Sequence, residues 1–176
     1  MTNPVLESVR ETFLSTKNLA DRALAQLDDE QLHASLVADG NSVATIVRHV
    51  GGNLHSRWTD FLTSDGEKPW RNRDEEFDER TLSRENLLQD WDSGWACLFA
   101  TLEGLNDGDL EKVVQIRAED LTVIRALDRQ IAHYSYHIGQ IVLIARTLRA
   151  EKWISLSIAR GKSADFNREL FGERGA

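Results

Sequence analysis

Two histidines, His133 and His137, stand four residues apart in a long segment with helical periodicity. Four residues turn an α-helix through about 400°, so both imidazoles project from one face, one turn apart. Two neutral imidazoles at this separation can bind the same metal ion. A pair of unrelated polar residues at the edge of a helix has the same spacing, so the metal interpretation depends on a third ligand.

The chain has three other histidines, and their positions differ in what they allow. His49 lies on the flank of the apolar stripe of a predicted helix that Ser42 can cap. His55 is rotated from His49 by about 240°, so the two cannot face one ion from a regular helix. His33 falls in a segment without a clear period, and we expect a solvated loop histidine there. The candidate metal ligands are therefore His49, His133 and His137.

Three imidazoles from two helices favour a divalent cation of the Zn²⁺ or Ni²⁺ type. Zinc held by three protein ligands keeps a position open for water or substrate, which is typical of catalytic sites. The nearest polar residues that could orient the rings are Asn53 and Gln140. Tyr134 stands where the zinc-peptidase motif has its glutamate, so peptidase chemistry is not expected. The sequence identifies no general acid or base, and the catalytic residues stay unknown.

Apolar residues recur at spacings of three and four in four segments, which predicts an all-α fold built as a four-helix bundle in a single domain over 1–176. The predicted helices are 4–27, 42–63, 84–104 and 122–149. Trp91 and Trp95 fall on the apolar seam of the third helix and are predicted to be core. The tail, 150–176, alternates polar and apolar residues at first, and Ser163 can cap a final short helix in it.

The segments that connect the predicted helices also indicate local structure in two places. The β-branched run 112–117, followed by 121–123, predicts a small β-hairpin before the fourth helix. The charged segment 67–81 predicts a long loop between helices 2 and 3. That loop either crosses the end of the bundle and is pinned by Trp70, which we favour, or contributes to a partner interface.

A pair of glycines, Gly51-Gly52, interrupts the second helix. Each glycine costs a helix about 1 kcal/mol relative to alanine, so the pair needs a reason. Close approach of a neighbouring helix or of a ligand beside His49 is one reason, and plain packing is the other.

Composition excludes several classes of function. A formal net charge of −8 excludes nucleic acid and an anionic membrane surface as expected partners. No apolar run approaches the roughly 20 residues that span a bilayer, and we expect a cytoplasmic protein. The single cysteine, Cys97, excludes an intrachain disulfide and a thiolate zinc site, and is predicted to be a small helix residue.

The segment from Thr45 to Asn53 and the later segment from His133 to Gln140 together resemble the DinB-like, or YfiT-like, superfamily of metal-dependent four-helix-bundle proteins. Residues 68–74 and 157–163 are similar to one uncharacterised branch of it. The resemblance implies an up-down-down-up bundle, often a homodimer, in which one histidine of the second helix and a His-x-x-x-His of the last bind nickel or zinc. By position these ligands are His49, His133 and His137.

The resemblance also implies a metal-dependent enzyme acting on a small molecule, as a hydrolase or as an S-transferase with a low-molecular-weight thiol cosubstrate such as bacillithiol or mycothiol. Two alternatives stay open. One is a non-catalytic, metal-stabilised helical dimer. The other is a small-molecule-binding module whose bundle mouth holds a ligand and no metal.

Overall fold

The computed structural model describes residues 4–78 and 82–172, which form a mostly helical chain with a small two-stranded sheet. The helices are α1 Pro4–Leu24, α2 Asp29–His33, α3 Val43–Trp58, α4 Arg84–Gly104, α5 Val123–Arg149 and α6 Ser163–Phe171, and the strands are β1 Val113–Ile116 and β2 Glu119–Thr122. Residues 79–81 of the predicted loop and 173–176 of the predicted tail lie outside the described residues. The all-α prediction is thus confirmed as a predominantly helical fold.

The four long helices meet around an aromatic cluster. α3 packs mainly on α4 and α1 mainly on α5, while α5 also contacts α3. Phe13 of α1 lies 5.9 Å from Trp58 of α3, 6.3 Å from Trp95 of α4 and 5.9 Å from Tyr134 of α5, measured between ring centroids. These tilted and edge-to-face contacts bring one large ring from each long helix into a single buried core. Trp91 is buried beside Trp95, so the predicted core role of both is confirmed.

Serine side chains cap the starts of α3 and α4, as predicted for Ser42, whereas two helix ends do not follow the apolar period. The hydroxyls of Ser42 and Ser83 accept backbone N–H bonds from Thr45 and Asn86 at the starts of α3 and α4. The predicted ends at 27 and 63 are wrong, because α1 ends at Leu24 and α3 at Trp58. Leu27 and Phe61 beyond these ends are still buried, so the hydrophobic pattern continues past the helical hydrogen bonds.

The predicted hairpin is present and is fastened to the loop after α3. β1 and β2 pair antiparallel with Ile116 opposite Glu119, and both turn residues, Arg117 and Ala118, have φ near +58°. Asp65 accepts hydrogen bonds from the backbone N–H groups of these two residues, at 2.8 Å and 2.7 Å. The carboxylate therefore holds a left-handed turn that contains no glycine.

The first part of the tail is hydrogen-bonded to the C-terminal end of α1 and the residues just after it. The Gln26 amide bonds both the backbone N–H and the carbonyl of Ile154, and Arg22 donates to the carbonyl of Leu156. The predicted cap of the last helix is wrong: Lys162 precedes α6 without a side-chain cap, and Ser163 is its first residue. In the parts of the chain that the structure describes, no helix is long and apolar enough to cross a membrane.

Candidate metal centre

The three predicted histidines lie together between α3 and α5. The ring centroids of His49 and His137 are 4.8 Å apart, those of His133 and His137 are 4.7 Å apart, and those of His49 and His133 are 5.5 Å apart. One nitrogen from each ring lies within 4.8 Å of the others, a grouping that could hold a metal ion. His49 is buried and the two α5 histidines are half-buried. Two helices distant in sequence therefore form one imidazole cluster.

Tyr134, one residue after His133, connects α5 to α3 in the core next to the histidine cluster. Its side chain points into the core, where its hydroxyl donates to Asn53 Oδ1 and accepts from Trp58 Nε1, each at 3.0 Å. Burial raises the pKa of this phenol, which stays protonated. Asn53, predicted as a residue that could orient a ring, bonds Tyr134 instead and so fixes the helix pair.

Gln140 orients His137, as predicted. His137 Nδ1 lies 2.9 Å from Gln140 Oε1, and the Gln140 amide nitrogen donates to the Tyr136 hydroxyl at 3.3 Å. With the amide oxygen accepting, Nδ1 of a neutral His137 carries the proton and Nε2 carries the free lone pair.

A carboxylate that the sequence reasoning missed contacts His49. Glu76 belongs to a 3₁₀ turn, Asp74–Phe77, in the loop between α3 and α4. Its Oε2 lies 2.8 Å from His49 Nδ1, and Arg71 donates to both carboxylate oxygens at 2.7 Å and 2.9 Å. The loop has no hydrophobic period, and its acidic residues look alike in sequence, so only the fold singles out Glu76.

The two mid-helix glycines admit carboxylates to the surface of α3. A Cβ on Gly52 would lie 2.3 Å from Glu76 Oε1, and a Cβ on Gly51 would lie 2.6 Å from Asp90 Oδ2 of α4. Both distances are far shorter than any ordinary contact. At Gly51 the approaching group belongs to the neighbouring helix α4, which is one of the predicted explanations. At Gly52 it is a carboxylate of the loop, which none of the predicted explanations named.

The electrostatics of the cluster favour neutral imidazoles at the two α5 histidines. Burial lowers the pKa of His133 to about 3, and His137 and His49 add to the effect. Burial also lowers the pKa of His137, against an opposing effect of Gln140. For Glu76, burial raises the pKa, but hydrogen bonds from His49 and Arg71 outweigh it and leave the net pKa below its ordinary value. At neutral pH the α5 histidines thus have lone pairs to offer, and Glu76 is ionised.

Comparison with known proteins places the chain in a family. A family model described as a protein of unknown function, DUF1572, matches residues 1–162. The chain belongs to the DUF1572 family. The match covers the three histidines, Arg71 and Glu76, and ends before α6. No curated protein matches the chain.

The other two histidines of this DUF1572 chain lie apart from the cluster. His55 Nε2 lies 3.1 Å from Ser93 Oγ and 3.4 Å from Asp90 Oδ1, facing α4, which confirms its exclusion. His33 was predicted to be a solvated loop residue. It ends α2 instead, half-buried, with Nε2 3.0 Å from the carbonyl of Leu82.

The loop of this DUF1572 chain is anchored differently from the prediction. Trp70, expected to pin it, is 59% exposed, so that prediction is wrong. The ring centroids of Phe77 and His49 are 5.0 Å apart, and the Arg73 guanidinium lies over the Phe77 ring at 5.2 Å from its centroid. The Phe77 ring and the buried Glu76 hold the loop against the cluster.

Proposed function

We propose that this protein is a DinB-like, divalent-metal-binding protein in which His49, His133 and His137 are the ligands and the four long helices form the bundle of that superfamily. The observation that carries the proposal is the convergence of three imidazoles from α3 and α5, with one nitrogen of each within 4.8 Å of the others. Polar residues that met by chance in a groove between helices would be expected to be of mixed types, whereas all three here are histidines.

The donor set fits a borderline transition-metal ion. Imidazole nitrogens suit Zn²⁺ and Ni²⁺, whereas Mg²⁺ and Ca²⁺ prefer oxygen ligands. Among the residues that the structure describes, the buried His133 Nδ1 has no hydrogen-bond partner, which is unusual for a histidine that only fills space. The polar environment of the cluster is thus incomplete on its own, as expected of a site built around another group.

The proposed activity is that of a metal-dependent enzyme on a small molecule, of the hydrolase or thiol S-transferase type. When bound, such an ion supplies a Lewis acid with open coordination positions, able to polarise a substrate or to stabilise a thiolate. Both oxygens of Glu76 already accept from Arg71 and His49. Glu76 therefore acts on His49 and is not available as a base toward substrate.

Metal analysis tests the proposal. Protein purified without an affinity tag and loaded with Zn²⁺ or Ni²⁺ is expected to retain one ion per chain after desalting. His133→Ala and His137→Ala should each lose it, and His55→Ala, the matched histidine outside the cluster, should keep it. A wild-type chain that retains no ion after loading would overturn the proposal.

Turnover is tested with a panel of electrophiles and esters in the presence of bacillithiol, mycothiol or glutathione. We expect the active combination to lose turnover in His49→Ala and to keep it in His55→Ala. Activity that survives His49→Ala would show that the cluster is not the catalytic centre.

A second candidate is a non-catalytic, metal-stabilised homodimer. The supporting observation is a pair of large side chains on one exposed face of α5, Tyr136 and Leu143, which are 64% and 62% exposed. Gly139 lies between them, and an added Cβ there would meet no described residue within 4 Å, so a second helix could approach closely. Sedimentation of wild type and Leu143→Glu, with and without a chelator, tests this candidate. Turnover that depends on His49 would exclude the non-catalytic form.

A further inference from the structure

We propose that the Arg71–Glu76 pair is a positioning pair for the metal centre, which sets the orientation and tautomer of His49 so that Nε2 faces the other two histidines. The inference rests on the proposed function, because it assigns the role of the pair through a metal ligand. In this proposal the loop between α3 and α4 contributes to the metal centre by positioning one of its ligands.

The geometry of the three side chains carries the first step. Glu76 Oε2 lies 2.8 Å from His49 Nδ1, and Glu76 is only 8% exposed. A carboxylate can only accept, so in a neutral His49 the Nδ1 atom donates and Nε2 keeps the lone pair. Carboxylates that accept from the second nitrogen of a metal-bound histidine fix the ring and raise its basicity.

Arg71 supplies the second step by holding the carboxylate. Its Nε and Nη2 donate to the two oxygens of Glu76 in a bidentate pair, and its side chain is 2% exposed. Bidentate guanidinium–carboxylate pairs fix direction as well as distance. The plane of Glu76 is therefore set before it meets His49.

The shape of α3 supplies the third step. Glu76 Oε1 occupies the space that a side chain at Gly52 would need, one helical turn from the loop's other contact at His49. A helix that keeps glycine here at the cost of its own propensity makes room for this carboxylate. The position of Glu76 is thus specified from three directions: by Arg71, by His49 and by the gap at Gly52.

The Nδ1 atom of His137 also has a hydrogen-bond acceptor, whereas the Nδ1 atom of His133 differs. Gln140 Oε1 accepts from His137 Nδ1 much as Glu76 accepts from His49. His133 Nδ1 has no hydrogen-bond partner within residues 4–78 and 82–172. Two of the three rings are thus oriented by an acceptor on Nδ1. The contribution of Glu76 differs from that of Gln140 in its charge, which strengthens the hydrogen bond.

The test uses Glu76→Ala and Glu76→Gln, with Glu75→Gln as the matched control on the neighbouring, exposed loop residue. Competition against a chromophoric chelator gives the Zn²⁺ dissociation constant of each full-length chain. We expect Glu76→Ala to weaken Zn²⁺ binding about 10- to 100-fold. Glu76→Gln retains an acceptor oxygen and should weaken it less, and Glu75→Gln should match wild type.

A second readout separates positioning from loss of structure. ¹⁵N NMR of the metal-free chain reports which nitrogen of His49 is protonated. Wild type and Glu76→Gln should show the proton on Nδ1, and Glu76→Ala should shift it toward Nε2. If Glu76→Ala fails to fold, the Glu76→Gln affinity and the wild-type tautomer still decide the matter.

The inference is overturned if Glu76→Ala binds Zn²⁺ within twofold of wild type, or if wild-type His49 carries its proton on Nε2. Its failure is distinguishable from failure of the proposed function. A wild-type chain that binds no Zn²⁺ overturns the function, whereas a chain that binds Zn²⁺ regardless of Glu76 overturns only the positioning role.

Discussion

Replacing Gly52 by alanine tests how firmly Glu76 is held against α3. The new Cβ would lie 2.3 Å from Glu76 Oε1 and 3.0 Å from its Cδ. The Glu76 carboxylate cannot move away without losing hydrogen bonds, because Arg71 binds both of its oxygens and His49 binds one of them. Alanine at position 52 should therefore break the contacts of Glu76 instead of being absorbed by a flexible side chain.

The expected magnitude is a balance of two effects. Alanine favours a helix over glycine by about 1 kcal/mol. Displacing one partner of a buried ion pair costs about 3–5 kcal/mol, because the other partner stays buried and unpaired. We therefore expect the free energy of unfolding to fall by about 2–4 kcal/mol. For a chain of this length that lowers Tm by roughly 5–15 °C.

The assay is urea and thermal denaturation of chelator-treated protein, so that no bound ion contributes. Gly139→Ala is the matched control, because it places the same substitution in a helix where a Cβ would have no neighbour within 4 Å in the described part of the chain. That variant should equal wild type or gain up to about 1 kcal/mol. If Gly52→Ala is as stable as wild type, Glu76 is not held as described and the reasoning is refuted.

Three further substitutions probe other parts of the fold. Tyr134→Phe leaves the buried Trp58 Nε1 without its acceptor and the buried Asn53 Oδ1 without its donor. Each buried group left unpaired costs about 1–3 kcal/mol, so the free energy of unfolding in urea should fall by about 2–6 kcal/mol. Trp70→Ala removes a ring that is 59% exposed and should change the free energy of unfolding by less than about 0.5 kcal/mol. Burial raises the pKa of Asp65, but its backbone N–H partners lower it more and leave it below the ordinary value. The ionised form is thus favoured by folding, so this contribution to stability is complete above the ordinary pKa and is lost as pH falls through the lowered one. Asp65→Asn should therefore flatten the acid limb of the stability–pH profile below about pH 4.

For each of these three substitutions, one experimental result would refute the expected effect. A Tyr134→Phe chain as stable as wild type would show that the hydroxyl does not connect α3 and α5. A large loss in Trp70→Ala would restore the pinning role that the exposure of Trp70 excludes. For the pH profile, Asp128→Asn on the exposed side of α5 is the control, and equal acid limbs for the two asparagine variants would show that Asp65 does not stabilise the hairpin turn.

The sequence was sufficient for the part of the site that depends on helical periodicity. The four-residue spacing of His133 and His137 is enough to place both side chains on one face of a helix. His55 was excluded by its rotation from His49 about the helix axis. The structure confirms both inferences, with His55 facing Ser93 on α4. The choice of His49 rested on the elimination of His33 and His55 and on the family resemblance, because helical periodicity does not show which helices are neighbours.

The contribution of the loop could not be predicted, because it depends on polar contacts formed only in the folded chain. Size and hydrophobicity favoured Trp70 as the anchor, yet the anchoring residues are Glu76 and Phe77. A buried carboxylate has no signature in a hydrophobic pattern. The gap at Gly52 was the one available signal, since an unexplained glycine in a helix marks a close approach without naming what approaches.

The distribution of the cluster along the chain has a consequence for the order of folding. His133 and His137 come together as soon as α5 forms, and isolated helices form within about a microsecond. His49 joins them only when α3 docks across a long stretch of sequence, and long-range contacts of this kind form late. Refolding should therefore pass from a two-histidine helix to the complete triad in a single docking event. Zn²⁺ added during refolding should bind with the kinetics of that event, and not with those of helix formation.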